Sequence, residues 1–139
     1  MALCGIKSLD KKMCEWTFSA ISQDKSISLI IKPHPILPIK KIIKEIPRDM
    51  RDQISITEED TKNLLNKTHV IISSGPTSII LESISFGCKL IYLVLDPYDN
   101  LISKKIPKIN KYMYFVKNKN ALLSNMNILA VSYTHLRAH

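Results

Sequence analysis

Two short stretches of this sequence carry residues suited to gripping a phosphate ester. The first is Lys32-Pro33-His34-Pro35, in which two prolines restrict the backbone around one imidazole. A ring held in this way meets a ligand at low entropic cost and donates to a phosphate oxygen, more strongly when protonated beside a dianion. Lys32 adds a point charge next to it. The second stretch is Ser73-Ser74-Gly75-Pro76-Thr77-Ser78, followed by Glu82. Small hydroxyl residues and a Gly-Pro pair ahead of a helical pattern leave backbone N–H groups free at the positive end of a helix dipole. Ser73, Ser74, Gly75, Thr77 and Ser78 are the residues of that cradle, with hydroxyls as added donors. Glu82, one turn further on the same face as Ser78, suits a ribose diol. Each stretch also has a plainer reading. His34 between prolines makes a rigid surface turn, and Ser, Thr and Glu cap helix starts in any protein.

The elements around these stretches decide where they sit. Leu9, Met13, Trp16 and Ala20 recur at helical spacing, predicting a helix over 9–22. A β-branched run over 26–31 predicts a strand that stops at the first proline of the histidine loop. A helix over 38–46 follows, with Pro38 in its first turn and Pro47 at its end. Residues 53–56 alternate as a short strand, and Thr57 is the expected N-cap of a helix over 58–66, with Asp60 at the reciprocal capping position. Strand 69–72 runs into the hydroxyl cradle, helix 78–86 stops at Gly87, and strand 89–94 comes next. Tyr112–Val116 and Asn118–Met126 read as a final strand and helix. Alternating strands and helices imply an open parallel sheet covered on both faces. In such sheets ligands bind outside the carboxyl ends of the strands, where both stretches fall. Asp96-Pro97-Tyr98-Asp99-Asn100 is at that edge as well; it reads as a turn, with sugar hydroxyls or a metal as the alternative use of its two aspartates.

Composition narrows the field. The chain has 139 residues, room for one domain. Its longest apolar runs are far shorter than the roughly 20 residues of a membrane span. The opening hexapeptide is too short for a secretory signal, so the expected location is the cytoplasm, with free thiols at Cys4, Cys14 and Cys88. A net charge of +8 favours anionic partners, yet no aromatic residues interleave the lysines as nucleic-acid stacking requires. Three glycines do not supply a Gly-x-Gly-x-x-Gly fingerprint or a Walker A loop. Residues 132–139 resemble translated adapter read-through and are set aside from the domain at 1–131, which reads as a piece of a longer protein.

The series Ile31-Lys32-Pro33-His34-Pro35, His69 to Ser74, Thr77-Ser78, Leu81-Glu82-Ser83 and Gly87 to Ile91 resembles the C-terminal domain of GT-B glycosyltransferases. The likeness is nearest to bacterial surface-carbohydrate and capsule enzymes, sialyltransferase-like and CDP-glycerol transferase-like. It implies a Rossmann-like half-enzyme that takes a CMP-, CDP- or UDP-linked sugar donor for polysaccharide biosynthesis. Carried across, His34, Ser74, Thr77 and Ser78 hold the phosphates and Glu82 holds ribose; the chemistry of the two stretches adds Lys32, Ser73 and Gly75 to the expected phosphate site and makes His34 the expected catalytic group. Pro76 and Ser83 depart from the family's usual residues. The resemblance implies no cofactor, no metal and no nucleic-acid partner. It also implies an absent N-terminal domain that brings the carbohydrate acceptor, so the chain alone is expected to be inactive, and the whole enzyme to associate with the inner face of the membrane. Two other functions stay open: a nucleotide-sugar 2-epimerase of the same fold, and a non-catalytic basic α/β interaction module.

Overall fold

The computed structural model describes residues 1–5, 7–36, 39–68, 70–75, 79–95 and 113–127, with backbone only at 80 and 81. Its elements run α1 (Lys7–Ile21), β1 (Leu29–Ile31), α2 (Ile39–Glu45), a 3-10 turn (Arg48–Met50), β2 (Ile54–Ile56), α3 (Thr61–Lys67), β3 (Val70–Ser73), α4 (Ile79–Ser85), β4 (Lys89–Leu93) and β5 (Met113–Val116). Helix resumes over 119–127. Every strand pairing is parallel: β1 with β2, β3 with β4, and β4 with β5.

What joins the two groups of strands is the N-terminal segment, of which the sequence predicts only that it is too short for a secretory signal. Ala2 forms a parallel bridge with Lys32. Leu3 N–H donates to the Lys32 carbonyl at 3.0 Å, and Lys32 N–H donates to the Met1 carbonyl at 2.9 Å. On the other side Ala2 N–H donates to the Ile72 carbonyl at 2.9 Å. Residues 1–4 therefore run between β1 and β3 as the first extended segment of the chain. The order across the surface becomes β2-β1-(1–4)-β3-β4-β5, third-second-first-fourth-fifth-sixth along the chain. That is the doubly wound, Rossmann-like order, whose ligand crevice opens where the strand sequence reverses, between the first and fourth extended segments.

Strand alternation sends side chains to two separate cores. Leu3, Ile31, Ile72, Ile91, Leu93 and Val116 pack with α1, with Ile42 of α2 and with Leu122. Ile71, Leu90, Tyr92 and Met113 pack on the opposite face with Leu65 of α3 and Ile79 of α4. Helices thus cover both faces of β3 and β4, and β4, between two neighbours, has Leu90, Ile91, Tyr92 and Leu93 all without solvent contact, whereas Ile30 of β1 is 40% exposed, so the expected cover on both faces does not extend to β1. The buried stripe of α1 is Leu9, Asp10, Met13, Cys14, Thr17, Phe18, Ala20 and Ile21, whereas Trp16 lies at its half-exposed margin.

Two local expectations change. α3 begins at Thr61 with Asp60 as N-cap, and Asp60 makes no side-chain capping bond. Thr57 is not the cap: its Oγ1 accepts from Glu59 N–H at 3.1 Å and closes a small turn before the helix. Gly87, in contrast, ends α4 as expected. Gly87 N–H donates to Ile84 O and Cys88 N–H to Ser83 O, the paired bonds that satisfy the last carbonyls of a helix when the residue beyond it turns left-handed.

Candidate functional site

At the reversal point the first extended segment ends in the turn Cys4-Gly5, just ahead of α1. Gly5 has φ of 84°, the left-handed region that a side chain rarely enters. One carboxylate holds this turn. Asp10 Oδ1 accepts from Cys4 N–H at 2.9 Å and from the Cys4 thiol at 3.4 Å, while Oδ2 accepts from Gly5 N–H at 3.0 Å. Asp10 is 2% exposed, an acidic group in the first turn of a helix where the backbone dipole favours it.

His34 lies directly against that turn. A Cβ added to Gly5 would come within 2.7 Å of His34 Nδ1 and 2.8 Å of its Cγ. The glycine is therefore required twice, by its φ and by the ring beside it. Nδ1 accepts from Ile36 N–H at 3.3 Å. In the neutral ring this leaves the proton on Nε2, which becomes the donor available to a ligand. Lys32, half-buried, donates from Nζ to the Glu59 carbonyl at 2.7 Å, ahead of α3. An ammonium carries three protons, so this bond leaves two for other acceptors.

The second turn meets the first from the other side. Gly75 has φ of 73°, and a Cβ there would lie 3.0 Å from Cys4 Sγ and 3.1 Å from Leu9 Cδ1. Ser73 and Ser74 are fully buried. Ser73 Oγ donates to the Ala2 carbonyl at 3.0 Å, and Ser74 Oγ donates to the Leu93 carbonyl at 2.7 Å. Their protons tie together the ends of three neighbouring extended segments, a structural use that the hydroxyl-cradle expectation did not anticipate. Tyr92 OH donates to the Gly75 carbonyl at 3.3 Å, and its ring meets Phe115 edge-on at 5.6 Å. Glu82 is half-buried in the first turn of α4. Thr77, Ser78 and the 96–100 turn lie outside the described residues.

Sequence reasoning brought His34 and Gly75 to one rim but missed what links them, the Cys4-Gly5 turn and Asp10. The sequence offers only a partial signal, a short apolar run from Met1 to Cys4, then a glycine and a helical pattern; that Asp10 falls on the buried stripe is a fact of the fold. Tyr92 and Gln53 were also missed. Gln53 Nε2 donates to the carbonyls of Ile21, Asp24 and Ile27 at 2.9–3.1 Å and so closes the end of α1.

A cavity of about 430 Å³ lies elsewhere among the described residues. It runs along β1 between Ile30, Leu64, Leu65 and Val70; of the predicted phosphate-binding residues Lys32 lines it, whereas His34 and Gly75 do not. Its lining is mostly apolar, though Lys67, Thr61 and Thr68 reach it and Lys32 borders both this groove and the histidine loop. Among the described residues no cluster of three His, Cys, Asp or Glu could hold a metal ion, and no helix is long and apolar enough to cross a membrane. All three cysteines are free and buried. No family model, no curated protein and no solved structure matches this chain.

Proposed function

We propose that this chain is the donor-binding half of a GT-B-type glycosyltransferase acting in surface-polysaccharide synthesis. One observation carries the reading: Gly5 lies against the His34 imidazole and Gly75 lies against Cys4, so both chemistry-bearing turns share the rim where the strand order reverses. That rim is where doubly wound sheets hold nucleotides. The donor is a CMP-, CDP- or UDP-linked sugar, and its phosphates sit between the imidazole and the start of α4.

The chemistry assigned to this half is stabilisation of the leaving nucleotide. As the bond from the anomeric carbon to the phosphate oxygen lengthens, negative charge grows on that oxygen. A donor already held at Nε2 of His34 and backbone N–H groups at a helix start favour that charge without reorganising. Glu82, one turn into α4, is assigned to the ribose hydroxyls. The acceptor and the group that takes its proton belong to a second domain, so this half binds a donor and transfers nothing. Thermal unfolding tests the reading. CMP, CDP or UDP should raise the melting temperature while oligonucleotides leave it unchanged; stabilisation by oligonucleotides alone would favour a basic interaction module instead.

A further inference from the structure

We infer that Asp10 is the built-in anion of the first strand-to-helix turn: it occupies the Cys4 and Gly5 amides, fixes Gly5 against the His34 ring, and turns an incoming phosphate toward Gly75. In doubly wound sheets the amides after the first extended segment are where the pyrophosphate of a dinucleotide lies. Here both are already bonded to one carboxylate, at 2.9 and 3.0 Å, and that carboxylate is buried. A ligand phosphate at the same place would face a like charge with no free N–H to receive it. The first turn is therefore closed to dinucleotides. The neighbouring rim at Gly75 and His34 is left for a nucleoside mono- or diphosphate.

The same carboxylate acts on the imidazole at second hand. It sets the backbone of Gly5, and Gly5 forms the floor under the ring, close enough that one methyl would collide with Nδ1 at 2.7 Å. With the floor fixed, Nδ1 stays within reach of Ile36 N–H at 3.3 Å and the neutral ring keeps its proton on Nε2. Asp10 is thus a positioning residue for His34, and the assignment to a nucleotide site rests on the function proposed above.

Two variants and an added anion test it. Asp10→Ala leaves a cradle the size of a carboxylate, which formate can refill; Asp10→Asn keeps the volume but turns one acceptor into a donor facing an N–H. In ligand-free wild type, long-range ¹H–¹⁵N correlation at alkaline pH should show His34 protonated on Nε2. Both variants should show mixed tautomers and bind CDP about tenfold more weakly, the scale of one lost charge-assisted bond in the site. Formate should restore both properties in Asp10→Ala and do nothing to wild type, whereas a residue serving stability alone would leave the tautomer and the CDP affinity of the folded variants unchanged. Wild type should not bind NAD. A folded Asp10→Ala with the wild-type tautomer and no formate response overturns the inference, as does NAD binding that contacts Cys4 and Gly5. If neither variant folds, hydrogen exchange in wild type decides: slow exchange of the Cys4 and Gly5 amides is expected, and fast exchange overturns it. Failure of wild type to bind CDP, with formate rescue of the tautomer intact, removes the nucleotide reading and leaves the role of Asp10 standing.

Discussion

Replacing Gly75 with alanine measures how tightly the two turns are wedged together, because Gly87 provides an internal reference. The two glycines share nearly the same backbone, with φ of 73° and 74°. Forcing an L side chain into that left-handed region costs about 1–2 kcal/mol. At Gly87 nothing lies within 4 Å of an added Cβ, so Gly87→Ala should cost that backbone term alone. At Gly75 the new methyl would meet Cys4 Sγ at 3.0 Å and Leu9 Cδ1 at 3.1 Å. Both neighbours are buried in the core, so they can yield only by shifting their own packing. Crowding of that kind costs about 1–3 kcal/mol beyond the backbone term. Gly75→Ala should therefore lose about 2–5 kcal/mol, and Gly87→Ala about 1–2 kcal/mol. Urea unfolding followed by far-UV circular dichroism gives both values, provided the denaturant slope is the same for each protein. Equal losses would mean that Gly75 has room around it, and the claimed contact between the two turns would be wrong.

Other consequences follow from individual groups. His34→Ala should weaken nucleotide binding by roughly 1–3 kcal/mol in calorimetric titration if a charge-assisted bond is lost; unchanged affinity would return the histidine to a surface turn. Gln53→Glu keeps the side chain's shape but replaces its three carbonyl bonds with acceptor facing acceptor. It should lower unfolding stability by at least about 2 kcal/mol, and a neutral result would show that the end of α1 is closed by other means. Burial pushes the Cys14 thiol up to about 12, with the negative charges of Glu45 and Asp10 adding to the effect. Below the ordinary thiol value of 9.0 both folded and unfolded states keep the proton, and stability owes nothing to pH through this group. Between that value and about 12 the unfolded chain releases a proton that the fold retains, so stability falls as pH rises, by up to about 1.4 kcal/mol per pH unit. Cys14→Ala should lose this part of the alkaline sensitivity, and identical pH profiles for variant and wild type would contradict it.

The parallel sheet was legible because β1, β3 and β4 are short apolar runs bounded by loops rich in proline and glycine, with β2 marked by alternation instead. Lys89–Leu93 is the clearest case, buried on both faces as an unbroken run should be. Gly87 was legible for the same kind of reason, since a glycine after a helical stripe has few other uses. The first extended segment was not. Four residues at a chain start offer no periodicity, and what makes Met1 to Cys4 part of the sheet is bonding to Lys32 on one side and Ile72 on the other, tens of residues away. The site divided along the same line. Local chemistry marked His34 and Gly75, but the hydroxyls of Ser73 and Ser74 looked alike in sequence whether aimed at a ligand or at a carbonyl. Their partners, Ala2 and Leu93, belong to neighbouring segments of the sheet and could not be read from the loop itself. Asp10 escaped notice because an acid early in a helix is ordinarily a solvated contribution to the dipole. Only the fold reveals that this one is buried and bonded to two amides.

The central claim is that the rim at the strand-order reversal, not the apolar groove along β1, receives a nucleotide phosphate. Titrating isotopically labelled protein with CDP and following backbone amide shifts tests it most directly. Saturable shifts are expected at His34, Ile36, Ser74, Gly75 and Glu82, with Ile30, Leu64 and Val70 unmoved. Shifts centred on the groove residues, or none at saturating CDP, CMP and UDP, would contradict it.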